Sequence, residues 1–304
     1  MEEIEKRTNM KISECCNLIS GNSTGGIIAC LLSIPEPSGK AKYSAKQITE
    51  FYLTYGKDIF HRGWIRALRT LNGLIGTKYS PDNLEQLLQQ YCGNVRLCDT
   101  LTNLLIPTYQ VTRRPVPYFF KSTHARIKTC GSAQNPYLWE CARATSAASS
   151  YFPPYKLNAQ AALIDGGIFA NNPSVCAYAQ AKKLWGYQEQ ILLISLGTGK
   201  NLKGLDYNKI RNWGIVQWAV PYFQQTSISA DESIDYILRT FTNANQDLYY
   251  NFQVQLDDKC SKMDDASESN LVRLQNYARQ LIQEKGQALD DVCMLLKSAC
   301  QCKM

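Results

Sequence analysis

The chain has 304 residues, enough for one large domain or two ordinary ones, and its hydrophobic content of 45% is normal for a globular protein. No apolar run approaches the ~20 residues that a membrane-spanning helix needs, and residues 1–14 are too polar for a secretory signal. The net charge of +7 comes without a dense Lys/Arg block, so nucleic-acid binding is weakly supported.

The 12 cysteines are scattered over the whole chain, and several lie within apolar patterns. Together with the absence of a secretory signal, this predicts reduced thiols and a cytoplasmic protein, although a secreted effector can also lack a cleavable signal. Cys300 and Cys302 form a pair without a second pair at zinc-ligand spacing. We therefore expect no metal and no other cofactor.

The predicted elements of the first third begin with residues 1–8, which are typical of the end of a helix. The segment "ISECCNLISG" is predicted to be a strand that leads into a glycine turn, and "STGGIIACLLSI" the helix that follows. Two amphipathic helices come next, "SAKQITEFYLTYGKDIF" and "SPDNLEQLLQQYCG". For the second we predict Ser80 as the N-cap, Pro81 at the first helical position and Gly93 as the stop.

In the middle of the chain, strands alternate with helices. We predict strands at "TNLLIPTYQVT", "VPYFFKST", "AALIDGG" and "QILLISLGTG", and helices at "NPYLWECARATSAASS" and "SVCAYAQAKKLW". Asn172 is predicted as the N-cap of the second of these helices and Pro173 as its first residue. The remainder is mainly helical, with one strand at "YYNFQVQL". This alternation indicates a three-layer α/β/α fold around a mostly parallel sheet, in a single domain over residues 1–304. Its catalytic core would cover about residues 12–200 and a mainly helical part about residues 205–304.

A serine lies on the first predicted strand-to-helix turn. Gly21, Ser23 and Gly25 match G-x-S-x-G, in which the serine occupies a sharp turn and its glycine neighbours must be small. The N-terminus of the following helix would then point at the site, and the Thr24 N–H could face a developing oxyanion. The motif is common by chance, but an apolar strand before it and an apolar helix after it favour a nucleophile over a capping serine.

A nucleophilic serine needs a base, and the sequence offers few candidates. The chain has two histidines, His61 between helices and His124 after a strand, and neither belongs to a recognisable triad. Asp165 ends an apolar strand, and Gly166 and Gly167 allow a sharp turn there. An Asp-Gly-Gly sequence alone is most often only a turn, but beside a serine without a histidine it predicts a Ser23–Asp165 dyad. Since a carboxylate is a weak base, esters are favoured over amides as substrates.

Four motifs taken together and in this order resemble the patatin-like phospholipases: "GNSTGGIIA", "ATSAASSYFPP", "LIDGGIFANNP" and "ISLGTG". Further segments such as "TKYSPDNLEQLL", "LLIPTYQVT", "PYFFKS" and "MDDASESNLVRL" extend the resemblance over nearly the whole chain. The resemblance implies a three-layer α/β/α fold and hydrolysis of phospholipids or other acyl lipids by a Ser–Asp dyad. Carried over by motif, Ser23 is the nucleophile and Asp165 the base.

The sequence departs from this family at its start. Members normally begin with a strand and a glycine-rich "DGGGxRG" loop that lends N–H groups to the oxyanion hole, and a helix then precedes the serine turn. This sequence opens at "MEEIEKRTNMKIS", within that helix, so we expect the strand and the loop to be absent. Loss of one oxyanion donor typically lowers a rate by ~10²–10³. Two functions therefore stay open: a phospholipase A-type hydrolase, and an impaired relative that binds lipid or a protein partner. A serine peptidase is disfavoured, since no histidine or lysine is placed as its base.

Two surface features bear on peripheral contact with an anionic membrane, which the positive net charge would suit. Trp213 and Trp218 could reach a lipid interface, although core packing is the favoured interpretation. A locally basic stretch could meet lipid headgroups, although a solvated hairpin rim is favoured; it comprises Arg113, Arg114, Lys121, Arg126 and Lys128.

Overall fold

The computed structural model describes residues 1–61, 76–127, 135–200, 206–214, 231–260 and 262–301. The chain divides into two compact units, the first made of Met1–Gln180 with Leu289–Met304 and the second of Ala181–Ala288. Each unit is described by itself below. That the whole chain forms one domain stays a prediction.

A five-stranded sheet forms the centre of the first unit. Its strands are β1 (Leu18–Ser20), β2 (Asn103–Gln110), β3 (Val116–Lys121), β4 (Tyr155–Asn158) and β5 (Ala161–Asp165). The β1 strand pairs with β2 in parallel, whereas β3 and β5 pair with β2, and β4 with β5, in antiparallel orientation. The sheet is therefore mixed, and the expectation of a mostly parallel sheet was wrong. The short segment between β2 and β3 folds them into a hairpin, which requires antiparallel pairing.

The strands β1 and β5 lie along the same edge of β2. Leu105 pairs with Ser20 on one side and with Lys121 of β3 on the other. Thr108 likewise pairs with Asp165 on one side and with β3 on the other. Because β3 covers the opposite edge at both positions, β1 and β5 must share the remaining one. They run in opposite directions along it, so their carboxyl ends approach each other.

Both faces of β2 are covered. Leu104, Leu105 and Ile106 are at most 1% exposed, and the run of buried residues continues to Thr108. A strand buried on both faces needs a helical layer on each. The predicted three-layer α/β/α fold is thus confirmed.

The helices follow the predicted order closely. They span Glu2–Thr8, Ile12–Cys15, Thr24–Leu32, Ala45–Ile59, Asp82–Cys92, Ser122–Ile127, Leu138–Thr145, Gly167–Ala170, Ser174–Trp185, Tyr207–Ile210, residues 231–244, Glu268–Glu284 and Gly286–Gln301. Single 3₁₀ turns lie at Leu97–Asp99 and Asp258–Cys260.

Several boundaries differ from those predicted. The N-cap of Asp82–Cys92 is Pro81, and Ser80 instead donates its hydroxyl proton to the Asp82 carboxylate at 2.6 Å. The segment before β1 is partly helical, with Ile12–Cys15 in place of the start of a strand. The helix Ser174–Trp185 begins one residue later than predicted, after Pro173, and the Asn172 side chain accepts a hydrogen bond from Ser174 N at 3.0 Å just before it.

A buried ion pair fixes the helix Leu138–Thr145, which packs on β2 and β5. The Arg143 side chain is 1% exposed, and its Nε lies 2.9 Å from Glu85 Oε1. Its Nη2 donates to the Pro153 carbonyl at 2.9 Å. A buried guanidinium is tolerated only when it is paired in this way, so these contacts hold the helix in one position.

The second unit contains the parallel pair β6 (Leu192–Leu196) and β7 (Leu248–Phe252). A buried ion pair supports it, with Lys182 Nζ 2.8 Å from Asp247 Oδ2. Asp247 Oδ1 also accepts the Ile191 N–H at 2.6 Å, just before β6 begins.

Candidate active site

Ser23 occupies a strained turn between β1 and the helix Thr24–Leu32. Its backbone has φ 52° and ψ −129°, in a region that residues other than glycine rarely adopt. Such a conformation costs on the order of 1–3 kcal/mol and persists only where the surrounding structure imposes it. This geometry is the one that a nucleophile elbow requires, because it lifts the side chain out of the turn.

Glycines leave room for this turn, but they are not both of those that were predicted. A Cβ on Gly21 would overlap the Gly25 carbonyl group, which explains the glycine at that position. A Cβ on Gly25 would meet nothing within 4 Å among the described residues, so these residues do not require a glycine at that position. The crowded position is Gly26, where a Cβ would lie 2.5 Å from Thr145 Cγ2.

The N-terminus of the elbow helix begins directly after Ser23. Thr24 and Gly25 are its first two residues, and backbone N–H groups in the first turn of a helix have no acceptor within that helix. They also lie at the positive end of the helix dipole. An anion that forms at Ser23 would therefore be near two backbone donors. The role of Thr24 as an oxyanion donor stays a prediction.

Asp165 ends β5 and meets Ser23. Its carboxylate accepts a hydrogen bond from Gly167 N–H at 2.7 Å to Oδ1. Burial raises the pKa of Asp165, the interactions with the Ser23 side chain and with Gly167 lower it, and the net result is a pKa above the ordinary value. The structure thus brings together the serine and the carboxylate that the sequence singled out.

The two glycines after Asp165 differ in their surroundings. A Cβ on Gly166 would overlap the Pro107 carbonyl group of β2, so the chain can pass there only as glycine. A Cβ on Gly167 would lie 3.1 Å from both the Asn22 side-chain nitrogen and Asp165 Oδ1. The pair therefore lets the end of β5 approach β2 closely and turn into Gly167–Ala170.

Thr145 is a residue at this site to which the sequence analysis gave no role. The Ser23 N–H lies 3.2 Å from the Thr145 carbonyl oxygen and 3.1 Å from Thr145 Oγ1. Its only sequence signal was its place in the segment "ATSAASS", which contributed to the family resemblance. A contact between residues so far apart in the chain leaves no periodic pattern to read.

The two histidines lie on exposed surface. His61 follows the end of Ala45–Ile59, and its N–H donates to the Asp58 carbonyl at 3.3 Å. His124 is exposed on the short helix Ser122–Ile127. Of the candidate bases in the sequence, Asp165 is the one for which the structure records an interaction with Ser23.

In the predicted basic stretch, Arg126 makes hydrogen bonds within the chain. Arg126 Nη2 donates to the Thr100 carbonyl at 2.6 Å, and Arg126 Nη1 donates to Asn103 Oδ1 at 2.7 Å. Arg113 and Arg114 are exposed between β2 and β3. Lys128, Trp218 and Cys302 lie outside the described residues. No helix in the described ranges is long and apolar enough to cross a bilayer.

Comparison with known proteins defines the class. A sequence model described as "Patatin-like phospholipase" matches residues 7–175, more than half of the chain. The chain therefore belongs to the patatin-like phospholipase family, which supports lipid hydrolysis as its general activity.

Named relatives cover most of the chain. Patatin-like protein 4 of Arabidopsis thaliana is 29% identical over 93% of this chain and 77% of its own length. Patatin group M-3 of Solanum tuberosum is 26% identical over 93% of this chain and 77% of its own. A third relative, named "Probable inactive patatin-3-Kuras 1", also from Solanum tuberosum, is 27% identical over 93% of this chain and 80% of its own.

Proposed function

We propose that this protein is a phospholipase A-type lipid acyl hydrolase in which Ser23 is the nucleophile and Asp165 the general base. The observation that carries the proposal is the position of Ser23, on a turn with positive φ, close enough to Asp165 for its side chain to lower the pKa of that carboxyl. A base must be able to reach the proton that it removes, and the convergence of β1 and β5 on one edge of β2 supports this for Asp165. Family membership adds lipids as the substrate class.

In the first step, Ser23 Oγ attacks the acyl carbonyl carbon while the Asp165 carboxylate takes the hydroxyl proton. The carbonyl oxygen becomes an oxyanion, and the Thr24 N–H at the start of the elbow helix is positioned to stabilise it. Collapse of the tetrahedral species breaks the bond to the alcohol, which leaves with the proton from Asp165. Water then attacks the acyl-enzyme with Asp165 again as base, which releases the fatty acid and restores Ser23.

The raised pKa of Asp165 suits this cycle. A carboxylate with the reference pKa of ~3.9 is a poor proton acceptor, and burial makes Asp165 a stronger one. A carboxylate is ordinarily a weaker base than an imidazole, so a leaving alcohol is favoured over a leaving amine. We therefore propose lipid esters as substrates and no metal in the reaction.

We further propose that the substrate is met at an anionic membrane surface by peripheral contact. The positive net charge and the exposed Arg113 and Arg114 support this contact. Hydrolysis of vesicles with 20% anionic lipid should then be faster than that of neutral vesicles, and added salt should remove the difference. Equal rates on both kinds of vesicle would contradict membrane attraction by charge without affecting the dyad.

The competing function is a catalytically impaired relative that binds lipid or a protein partner. One similar protein carries the word "inactive" in its name, which keeps this alternative open for the present chain. It predicts vesicle binding without release of fatty acid. An impaired protein would also give the same background rate with and without Ser23.

The deciding experiment measures fatty-acid release from phospholipid vesicles and hydrolysis of a short nitrophenyl ester. Ser23→Ala and Asp165→Asn should each lower kcat by at least about 10³-fold, because each removes one half of the reacting pair. Ser298→Ala, an exposed serine on the last helix, is the matched control and should keep the wild-type rate. Equal rates in all four proteins would overturn the dyad.

A further inference from the structure

The Thr145 hydroxyl forms hydrogen bonds in two directions at the base of the elbow. Thr145 is fully buried at the end of Leu138–Thr145. Its Oγ1 donates to the Pro107 carbonyl oxygen at 2.7 Å and accepts the Ser23 N–H at 3.1 Å. A hydroxyl has one proton, so donation to Pro107 turns its lone pairs towards Ser23. The direction of both bonds is thereby fixed.

The two hydrogen-bond partners of this hydroxyl lie at the turn of the proposed nucleophile and beside the turn of the proposed base. Ser23 is the proposed nucleophile, held at a backbone conformation that is unfavourable by itself. The Pro107 carbonyl lies against Gly166, the residue after the proposed base. The hydroxyl thus joins the serine turn to the point of β2 that the Asp165 turn contacts. No other side-chain hydroxyl in the described residues is shown to bridge these two backbone segments.

We propose that Thr145 is a positioning residue that holds Ser23 in line with Asp165, an inference that rests on the proposed function. Thr145 touches neither the substrate nor the reacting atoms in this scheme. The Ser23 amide is shared between this hydroxyl and the Thr145 backbone carbonyl, and the hydroxyl sets the direction of the amide, and through it that of the serine side chain relative to the carboxylate. A misplacement of about 1 Å in a reacting group can lower a rate by about 10²-fold.

The alternative is a purely structural role through the methyl group. Thr145 Cγ2 packs against Gly26, so any change at Thr145 could loosen the contact between the two helices. Two variants separate the roles. Thr145→Val keeps the methyl and the shape but removes the donor and the acceptor, whereas Thr145→Ser keeps the hydroxyl and removes the methyl.

Steady-state kinetics on the nitrophenyl ester test the proposal. Thr145→Val should lower kcat by about tenfold to a hundredfold with little change in KM, because substrate binding is untouched while the nucleophile is misaligned. Thr145→Ser should keep kcat within about threefold of wild type although it loses the methyl contact. A wild-type kcat in Thr145→Val, or equal losses in both variants, would overturn the proposal. If Thr145→Val does not fold, Thr145→Cys takes its place, since a thiol is a weak donor and acceptor of similar size to serine's hydroxymethyl group.

A second readout separates failure of this inference from failure of the proposed function. If Ser23→Ala hydrolyses the ester as fast as wild type, the dyad is wrong, and amide hydrogen exchange of the peptide spanning residues 18–26 then decides on Thr145. Faster exchange in Thr145→Val than in Thr145→Ser supports a hydroxyl that holds the Ser23 amide. Equal exchange in the two variants overturns it.

Discussion

Ser23 and Asp165 lie close together, Ser23 just after β1 and Asp165 at the end of β5, where these two oppositely directed strands end along one edge of β2. The strand before Ser23 runs parallel to β2, and the strand that ends at Asp165 runs antiparallel to it. Their carboxyl ends therefore converge. The proximity of the proposed nucleophile to the proposed base thus follows from strand direction, and the mixed character of the sheet contributes to how the candidate site is made.

The pH dependence of catalysis should reflect the environment of Asp165. Burial raises its pKa, and the interactions with the Ser23 side chain and Gly167 N–H do not fully offset this effect. The carboxylate is the active form, so kcat/KM should fall on the acid side with a midpoint above the reference value of ~3.9. The measurement is kcat/KM for a short nitrophenyl ester between about pH 3 and pH 8, with circular dichroism to follow folding. An acid limb at or below the reference value would contradict the assignment of Asp165 as base.

The same raised pKa predicts an unusual stability profile. A carboxyl whose folded-state pKa lies above its unfolded value favours the folded state below the unfolded pKa, and this contribution disappears as pH rises through the folded pKa. Ionised Asp165 therefore lowers the free energy of unfolding at neutral pH. Asp165→Asn should be more stable than wild type at pH 7, and its advantage should shrink on acidification.

Asp235 provides the control for that profile. Burial raises its pKa, but hydrogen bonds from Arg239 and Asn251 outweigh it and hold the pKa below the ordinary value. Asp235→Asn should therefore be less stable than wild type at pH 7, with the difference lost as pH falls through the folded pKa. Denaturant unfolding at several pH values measures both variants. Parallel profiles for the two would show that the Asp165 environment is misassigned.

Adjacent glycines of the elbow helix should respond in opposite ways to alanine. A Cβ on Gly26 would meet Thr145 Cγ2 at 2.5 Å, so Gly26→Ala should lower the free energy of unfolding by about 1–3 kcal/mol. A Cβ on Gly25 meets no atom of the described residues within 4 Å, so Gly25→Ala should be neutral or raise that free energy by up to about 1 kcal/mol through helix propensity. Urea unfolding of the two variants provides the comparison. Equal destabilisation would mean that both glycines are crowded.

Removal of Glu85 should destabilise the first unit far more than its partly exposed position suggests. Arg143 is 1% exposed, and Glu85→Ala would leave its buried guanidinium without its ion-pair partner. We expect a loss of about 3 kcal/mol, the lower end of the range for breaking a buried pair, since Glu85 is partly solvated. Glu85→Gln keeps a hydrogen-bond acceptor and should lose less.

The exposed pair between Lys46 and Glu50 is the control for this prediction. Its side chains are 75% and 57% exposed, with the charged atoms 3.9 Å apart. Glu50→Ala should change the free energy of unfolding by less than about 1 kcal/mol, because exposed ion pairs contribute little. A similar loss in Glu50→Ala and Glu85→Ala would mean that burial of Arg143 has no energetic consequence.

The sequence allowed both proposed reacting residues to be predicted, because each ends a strand beside glycines in a short local pattern. Thr145 could not be predicted, since its bond to Ser23 joins two helices that packing alone brings together. For the same reason Gly25 and Gly26 could not be told apart, because they differ only in what Leu138–Thr145 presents to them.

The direction of β5 was equally hidden. An apolar strand has the same composition whether its partner runs parallel or antiparallel, and strand pairing is a long-range property. The β4 strand was missed because "YKLN" carries polar residues at alternate positions and is only four residues long. The start of Asp82–Cys92 differed by one residue, within the usual uncertainty of helix ends.

The shared edge of β2 also determines how far apart the turns of Ser23 and Asp165 lie. Ser20 pairs with Leu105 and Asp165 pairs with Thr108, so two residues of β2 separate the end of β1 from the end of β5. Each residue of a strand advances the chain by about 3.3 Å. Surface loops elsewhere can change length without altering that distance. One residue inserted after Leu105 would move the two turns apart and turn the side chains of β2 beyond the insertion to the opposite face of the sheet. The spacing of the proposed nucleophile and the proposed base is thus set by a buried strand that contributes neither residue.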